Sequence, residues 1–290
     1  DNRLKLTYHW GPHFDCAAEV APPLANRVLE ACEASWREAW RILAPTDEDY
    51  GTGIGERIQL ALFKKSPSYA RFAGWFNKQA DIESITPGWE RSIKRQPSFY
   101  WPHPERVIGS YVFPNTDKTF VSIVNHNVGL IMLTRYRINV RFPSAWLQEG
   151  FSYYLEMETA GYSLSFSLGS GASTAGGGEK GPVWVDSKKW KSGLKDLVNK
   201  GQDPPMKRLA RMGFDAIGYP ELVKSWSVVD FLIKWDKTRF KKFVDLSKVR
   251  DNQGVVANEE EALREAYGVG YRQLDKKWRA YVQGGFRISK

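Results

Sequence analysis

The residues with the clearest chemical pattern are His126 and Glu149, each of which lies in a recognisable local motif. A zinc hydrolase needs two histidines one helical turn apart, a carboxylate beside the first histidine as general base, and a third ligand from a neighbouring element. After His126, however, Asn127 stands at the position of the base, and Leu130 stands at the position of the second histidine. The pattern therefore indicates a zinc-site helix that lacks its base and one ligand.

The segment around Glu149 carries a resemblance to a known family. Residues 146–156 read WLQEGFSYYLE, which is similar to the W-L-x-E-G-x-A-x-Y-x-E segment of the gluzincin peptidases, the peptidase MA-like superfamily, with Ser152 where alanine is usual. The interval from His126 to Glu149 also equals the interval between the first histidine of HExxH and the glutamate ligand in that family. Tyr154 matches a core position of the family motif.

The resemblance covers roughly residues 55–285. Residues 219–232 resemble the tyrosine-led helix behind the family's site, and residues 263–282 resemble its C-terminal segment. The resemblance implies an α+β, gluzincin-like fold, with an N-terminal mixed sheet and helices in residues 1–160 and a mainly helical subdomain in residues 161–290. It also implies a bacterial exported protein, located in the periplasm, at the cell surface or outside the cell.

The two substitutions predict loss of catalysis. His126 and Glu149 are two donors, against the three protein ligands of a catalytic zinc site. The Asn127 amide cannot take a proton from water, and general-base catalysis typically contributes ~10²–10⁴ in rate. We therefore predict neither zinc nor another cofactor, and a hydrogen bond from His126 to Glu149 that satisfies a buried polar pair. Tyr219 is predicted to be a wall or a hydrogen-bond donor of the former cleft.

The sequence thus favours a pseudopeptidase that binds a peptide, a protein or a glycan in the former cleft or at its aromatic rim. One alternative is an active metal-dependent hydrolase with a rearranged site that recruits His9, His13 or an acidic residue of the loop at 169–181. The other is a structural or assembly component of a complex, which a net charge of +9 and the 12 tryptophans favour. Tyr153 and Glu156 are interpreted, like Tyr154, as packing or helix-surface residues.

Composition restricts the partner. The positive net charge favours acidic partners such as an anionic glycan. The basic residues are scattered, and no specific nucleic-acid motif accompanies them. Trp75, Trp89 and Trp101 lie in a region rich in proline, glycine and lysine, so they are the candidate binding rim. No nucleophile elbow, phosphate loop or dinucleotide fingerprint is present.

The elements that must position these residues follow from hydrophobic periodicity. Alternation predicts strands at 3–9, 57–63 and 106–113, and a helical pattern runs from about 23 to 43. The prolines and glycines of residues 81–104 predict an irregular surface segment. Further helical patterns occur at 187–200, 204–212, 219–235, 237–248, 258–267 and 271–282.

Two more helices carry the site. The helix that carries His126 is predicted to begin near Thr119 or Ser122, and the helix that carries Glu149 follows Pro143. A Gly-rich loop at about 168–182 lies beyond them.

The cysteines and the hydropathy give two further expectations. Cys16 and Cys32 are a candidate disulfide, with two separate thiols as the alternative. No stretch approaches the ~18 apolar residues that a membrane-spanning helix requires, so no transmembrane segment is predicted.

Overall fold

The computed structural model describes residues 5–44, 57–94, 96–102, 105–112, 116–136, 143–165, 186–248 and 258–288. Within these ranges the fold is α+β. Among the described residues, all strands lie between Thr7 and Tyr111, and the later regular elements are helices. The predicted fold class, a mixed N-terminal part followed by a helical part, is confirmed. In the described residues, no helix combines the length and the apolar character needed to cross a bilayer.

The described strands form one mixed sheet. They are β1 (Thr7–Trp10), β2 (Phe14–Ala18), β3 (Ile58–Phe63), β4 (Ser98–Trp101) and β5 (Val107–Tyr111). Their spatial order is β1-β2-β3-β5-β4. The central pairs β2–β3 and β3–β5 are parallel, whereas β1 and β4 join antiparallel at the two edges. The sheet therefore ends in β4, the strand that lines the functional site.

The segment predicted to be irregular at 81–104 is instead partly regular, so that prediction is wrong. It contains two short helices, Ile82–Ile85 and Trp89–Ile93, and the strand β4. Pro97 and Pro102 flank β4 without interrupting its pairing with β5, which is why the prolines do not prevent a strand. The strand β2 was also not predicted.

The two faces of the sheet contribute to two hydrophobic cores. Leu60 and Ile108 lie in the larger core, together with the helix Pro22–Leu43, whose first turn is fixed by consecutive prolines. Ala61 and Phe99 lie in a smaller core beneath the helix Ser66–Gln79. This alternation along β3 is the period-two pattern of a strand with both faces covered.

The helices of the second half agree with the sequence patterns. They are Trp190–Asn199, preceded by a 3₁₀ turn at Ser187–Lys189, then Met206–Leu209, Tyr219–Trp235, Lys237–Lys248, Glu259–Tyr267 and Tyr271–Gln283. The larger core continues through both halves, and the rings of Tyr153 and Trp190 lie 5.5 Å apart. The Gly-rich loop at about 168–182 lies outside the described residues.

Two long helices carry the predicted site residues. We call Asp117–Arg135 the His126 helix and Ala145–Ala160 the Glu149 helix. The His126 helix begins before the predicted Thr119 or Ser122, because the Thr116 hydroxyl caps it by accepting the Thr119 N–H at 3.2 Å.

Glycines set how closely the site helices approach their neighbours. A Cβ atom on Gly129 would lie 2.6 Å from the Cα atom of Ser152 on the Glu149 helix. A Cβ atom on Gly150 would lie 2.5 Å from the carbonyl oxygen of Ser225 on the helix Tyr219–Trp235. Because no side chain fits at these positions, the helices touch through their backbones, and His126 is brought close to Glu149.

Gly129→Ala is expected to lower the free energy of unfolding by about 1–3 kcal/mol, because the added methyl group forces the two site helices apart. Urea denaturation measures this change. Gly74→Ala is the matched control, since its Cβ atom would meet only the flexible end of the Glu90 side chain at 3.1 Å. Equal effects at both positions would show that the close approach at Gly129 has no energetic importance.

Candidate functional site

A cleft of about 790 Å³ lies between β4 and the two site helices. Four positions of the predicted motif line it together, namely His126, Asn127, Leu130 and Glu149. The structure therefore brings these residues to one cavity. The remaining walls come from Tyr153, from β4, from the helix Trp89–Ile93 with residues beside it, and from Phe214, Ile217 and Leu222.

His126 is held between two carboxylates. Its Nδ1 atom lies 2.8 Å from Oε1 of Glu156, in a hydrogen bond, and its Nε2 atom lies 3.3 Å from Oε2 of Glu149, in an ion pair. Its ring also packs on Tyr153, with the ring centroids 4.5 Å apart. The predicted contact between His126 and Glu149 is present, but its distance is longer than that of the hydrogen bond between His126 and Glu156.

Glu156 is neither a packing residue nor a surface residue, contrary to the prediction. Its carboxylate is fully buried and accepts hydrogen bonds from the hydroxyls of Ser122 and Ser165 as well as from His126. The sequence held one signal for this role. Glu156 lies about two helical turns after Glu149, so both carboxylates lie on the same side of the Glu149 helix.

These contacts set the charge of His126. Burial, the largest effect, lowers its pKa, but the combined attraction and hydrogen bonding of Glu149 and Glu156 outweigh burial and raise the pKa from 6.5 to about 9. His126 is therefore an imidazolium at neutral pH. Burial and the Glu149 charge also raise the pKa values of Tyr100 and Tyr153, so both phenols keep their protons.

The raised pKa of His126 makes stability depend on pH. Because the folded pKa lies above the unfolded value, the stabilisation is fully present below pH 6.5 and is lost as the pH rises to about 9. The shift corresponds to about 3 kcal/mol. We expect urea denaturation to show a decrease of this size over that window, and His126→Gln to remove it. A wild-type pH profile with the same slope as that of the variant would contradict the assignment.

Asn127 and Leu130 have no part in proton transfer or ligation. The Asn127 amide donates to the Ser98 hydroxyl at 2.6 Å, and Ser98 in turn donates to the Gly109 carbonyl at 3.0 Å. These two hydrogen bonds connect Asn127, which stands at the position of the base, to the strands β4 and β5. Leu130 is buried and presents only hydrocarbon to the cleft.

Tyr219 lies at the start of the helix Tyr219–Trp235 and is half-buried against the larger core. It is close enough to Tyr153 to contribute to the raised pKa of that phenol. From the same helix, Leu222 lines the cleft. Tyr219 thus packs close to the cleft, and its role as a wall or a hydrogen-bond donor stays a prediction.

The donor set does not fit a catalytic zinc ion. His126 and Glu149 supply two donors, and Leu130 supplies none where the second histidine belongs. In the part of the chain that the structure describes, no group of three or more His, Cys, Asp or Glu residues is placed to hold a metal ion.

The histidines considered for a rearranged metal site lie elsewhere. His9 is bonded to Thr7 and Asn26, at 2.9 Å and 3.0 Å. His13 is bonded to Glu33 at 2.7 Å and stacks on a tryptophan. His103 and Glu179, the acidic residue of the loop at 169–181, lie outside the described residues.

The three tryptophans of the predicted binding rim lie in two different cavities. Trp89 is buried and Trp101 is half-buried, and both line the cleft. Trp75 is 56% exposed and lines a different groove.

The candidate disulfide is not formed, because Cys16 and Cys32 are both free, buried thiols. Burial raises the pKa of the Cys16 thiol to about 12, and burial together with the neighbouring Cys16 and Glu33 also raises the pKa of Cys32. The two thiols are therefore protonated and unreactive at neutral pH.

The sequence matches no model of a known protein family, and no curated protein matches it. What the cleft can do is therefore inferred from its own residues. It contains a buried imidazolium between two carboxylates, an amide at the base position and an edge strand along one wall. This arrangement provides binding surface and fixed charge, but it has no free general base beside the histidine.

Proposed function

We propose that this protein is a gluzincin-like domain without peptidase activity, which binds an extended peptide segment in the cleft beside β4. The supporting observation is the arrangement of His126, ion-paired on both sides, within a cleft that follows an edge strand. The sequence resemblance around Glu149 is the second support.

The proposed loss of catalysis follows from the charges in the cleft. Hydrolysis requires a base that removes a proton from water, and Asn127 cannot be that base. Glu149 contacts the His126 imidazolium at 3.3 Å, so the carboxylate that lines the cleft already has a cationic partner.

A peptide is favoured because β4 can accept another strand. The Tyr111 N–H donates to the Pro97 carbonyl at 3.0 Å, which sets the alternation of the antiparallel β4–β5 ladder. In that alternation the main-chain groups of Ser98 and Tyr100 point away from β5. A peptide that pairs with this edge would gain main-chain hydrogen bonds, while its alternate side chains would enter the cleft.

The lining of the cleft predicts the side chains that such a peptide carries. Apart from His126 and Glu149, the described lining residues are uncharged. Many are aromatic or aliphatic, including Trp101, Phe214 and Leu222. We therefore expect apolar or aromatic side chains at the positions of the peptide that face the helices.

Tyr100→Pro is expected to weaken peptide binding by ~10-fold or more, because proline removes an outward N–H of the edge strand but keeps the pairing with β5. Tyr100→Ala is the matched control, since it removes the same side chain and keeps the N–H. Binding is measured by selecting peptides from a random library on the wild-type protein and titrating the best one by calorimetry. Equal affinities of the two variants would rule out strand addition, and unchanged melting temperatures would show that both are folded.

A further inference from the structure

A second groove, of about 470 Å³, lies on the sheet face that the helix Ser66–Gln79 partly covers, and its lining extends from β5 to the edge strand β1. The helix Ser66–Gln79 packs on β3 and β5, which leaves the β1 end of this sheet face open. Ala17 and Ala61 form a flat floor, because their side chains are small. Aromatic residues from β1 and from the helix line the groove on either side of this floor.

Three of the aromatic residues that line this groove are unusually exposed. Tyr8 is 61% exposed, Trp10 is 70% exposed and Trp75 is 56% exposed. The other large hydrophobic residues exposed in the described chain are Phe214 and Ile288, which lie elsewhere. A cluster of exposed aromatic rings around a concave surface is typical of a binding site, whereas single exposed hydrophobic residues are common on any protein.

The polar groups of the groove show what kind of ligand fits. Both carboxylate oxygens of Asp15 already have partners. Oδ1 forms an ion pair with Nε of Arg57 at 2.9 Å, and Oδ2 accepts a hydrogen bond from the amide of Gln59 at 3.0 Å. Glu105 is different, because its Oε2 atom is buried and has no hydrogen-bond partner among the described residues. An unpaired buried carboxylate oxygen requires a donor, which a bound ligand can supply. Among the described residues, no lysine or arginine lines the groove.

We propose that this groove binds a neutral carbohydrate chain, whose sugar rings stack on Trp10 and Trp75 and whose hydroxyl groups donate to Glu105. Sugar hydroxyls both donate and accept hydrogen bonds, which suits a carboxylate together with the amides of Gln59 and Gln79. An alkylammonium group has donors but no acceptor, so it would leave the amide N–H groups unmatched. An anionic glycan, which the net charge of the whole chain favours, would bring its charge close to the Glu105 carboxylate, and among the described residues no lysine or arginine lines the groove to offset that repulsion.

The test is calorimetric titration of the full chain with maltohexaose, cellohexaose and N-acetylchitohexaose. We expect at least one of these neutral probes to bind, and Trp10→Ala and Trp75→Ala each to weaken its binding ~10-fold or more. Glu105→Gln should also weaken binding, because the charged acceptor is lost. Phe214→Ala is the matched control, since Phe214 is also exposed but lines the cleft beside β4.

Several results would overturn the proposal. One is a lack of binding for all three neutral probes, and another is binding that persists in both tryptophan variants. Preference for a heparin hexasaccharide or for a trimethyl-lysine peptide would assign the groove to a charged ligand. A concentration-dependent dimer that Trp10→Ala abolishes would show that a second copy of the chain fills it. Both tryptophans are exposed, so circular dichroism should confirm that their variants are folded.

Discussion

The double variant Asn127→Glu with Leu130→His is expected to bind one zinc ion per chain, with an affinity at least ~100-fold above that of the wild-type protein. Positions 126 and 130 lie one turn apart on the His126 helix and both face the cleft, and Oε2 of Glu149 is 3.3 Å from His126 Nε2. Histidine at 130 therefore completes a three-ligand set. The gain should exceed the 10–100-fold effect that outer-shell partners alone have on metal affinity.

Glu156 already provides such an outer-shell partner. Its hydrogen bond to Nδ1 of His126 fixes the orientation of the ring and leaves Nε2 facing Glu149. The imidazolium must lose a proton when zinc binds, so the affinity of the double variant should rise with pH. This pH dependence is a second readout, independent of the stoichiometry.

Zinc content is measured after purification without chelator and dialysis against added zinc, and affinity by competition with a chelating dye. Asn127→Glu alone is the control, because it introduces a glutamate at the position of the base but leaves Leu130 where the second histidine belongs. Adding Glu149→Gln to the double variant should abolish binding. Failure of the double variant to bind zinc would show that His126 and Glu149 are not in the register of a zinc site, and stoichiometric zinc on the wild-type protein would refute the pseudoenzyme proposal.

Glu156→Leu is expected to lower the free energy of unfolding by about 3–5 kcal/mol, the usual effect of removing one partner from a buried ion pair. Leucine leaves the His126 imidazolium with only the longer contact to Glu149, and it leaves the hydroxyls of Ser122 and Ser165 without their acceptor. His126 should then titrate at lower pH, so the loss of stability between pH 6.5 and pH 9 should become smaller.

Urea denaturation at several pH values measures both effects. Glu158→Leu is the matched control, since Glu158 lies on the same helix but is exposed, and its effect should stay within about 0.5 kcal/mol. Glu156→Gln distinguishes the effect of the charge on stability from the effect of side-chain size, because the amide keeps the size of the side chain and one acceptor oxygen. Equal losses for Glu156→Leu and Glu158→Leu would mean that the buried carboxylate contributes nothing to stability.

The sequence by itself determined the features that depend on local spacing. The periodicity of apolar residues placed the long helices, and on the His126 helix the four-residue interval put His126 and Leu130 on one face. The proposal that a base and a ligand are missing rests on the same interval, since one helical turn fixes which side chains are neighbours.

Tertiary structure decided the features that depend on distant segments. The strand β4 has few residues and is stabilised by pairing with β5 and by packing under the helix Ser66–Gln79, so its own residues, between two prolines, carried little signal. In the same way, Trp75 was grouped with Trp89 and Trp101 because they are close in sequence, but the fold places Trp75 in a separate groove.

The role of Glu156 shows the distinction most clearly. Its position on the Glu149 helix was fixed by the sequence, but its acceptor role depends on Ser122 from one helix and on Ser165 from the segment beyond its own helix. Periodicity describes which face of a helix a residue occupies. It does not describe what that face meets, because burial and hydrogen-bond partners arise only when separate elements pack together.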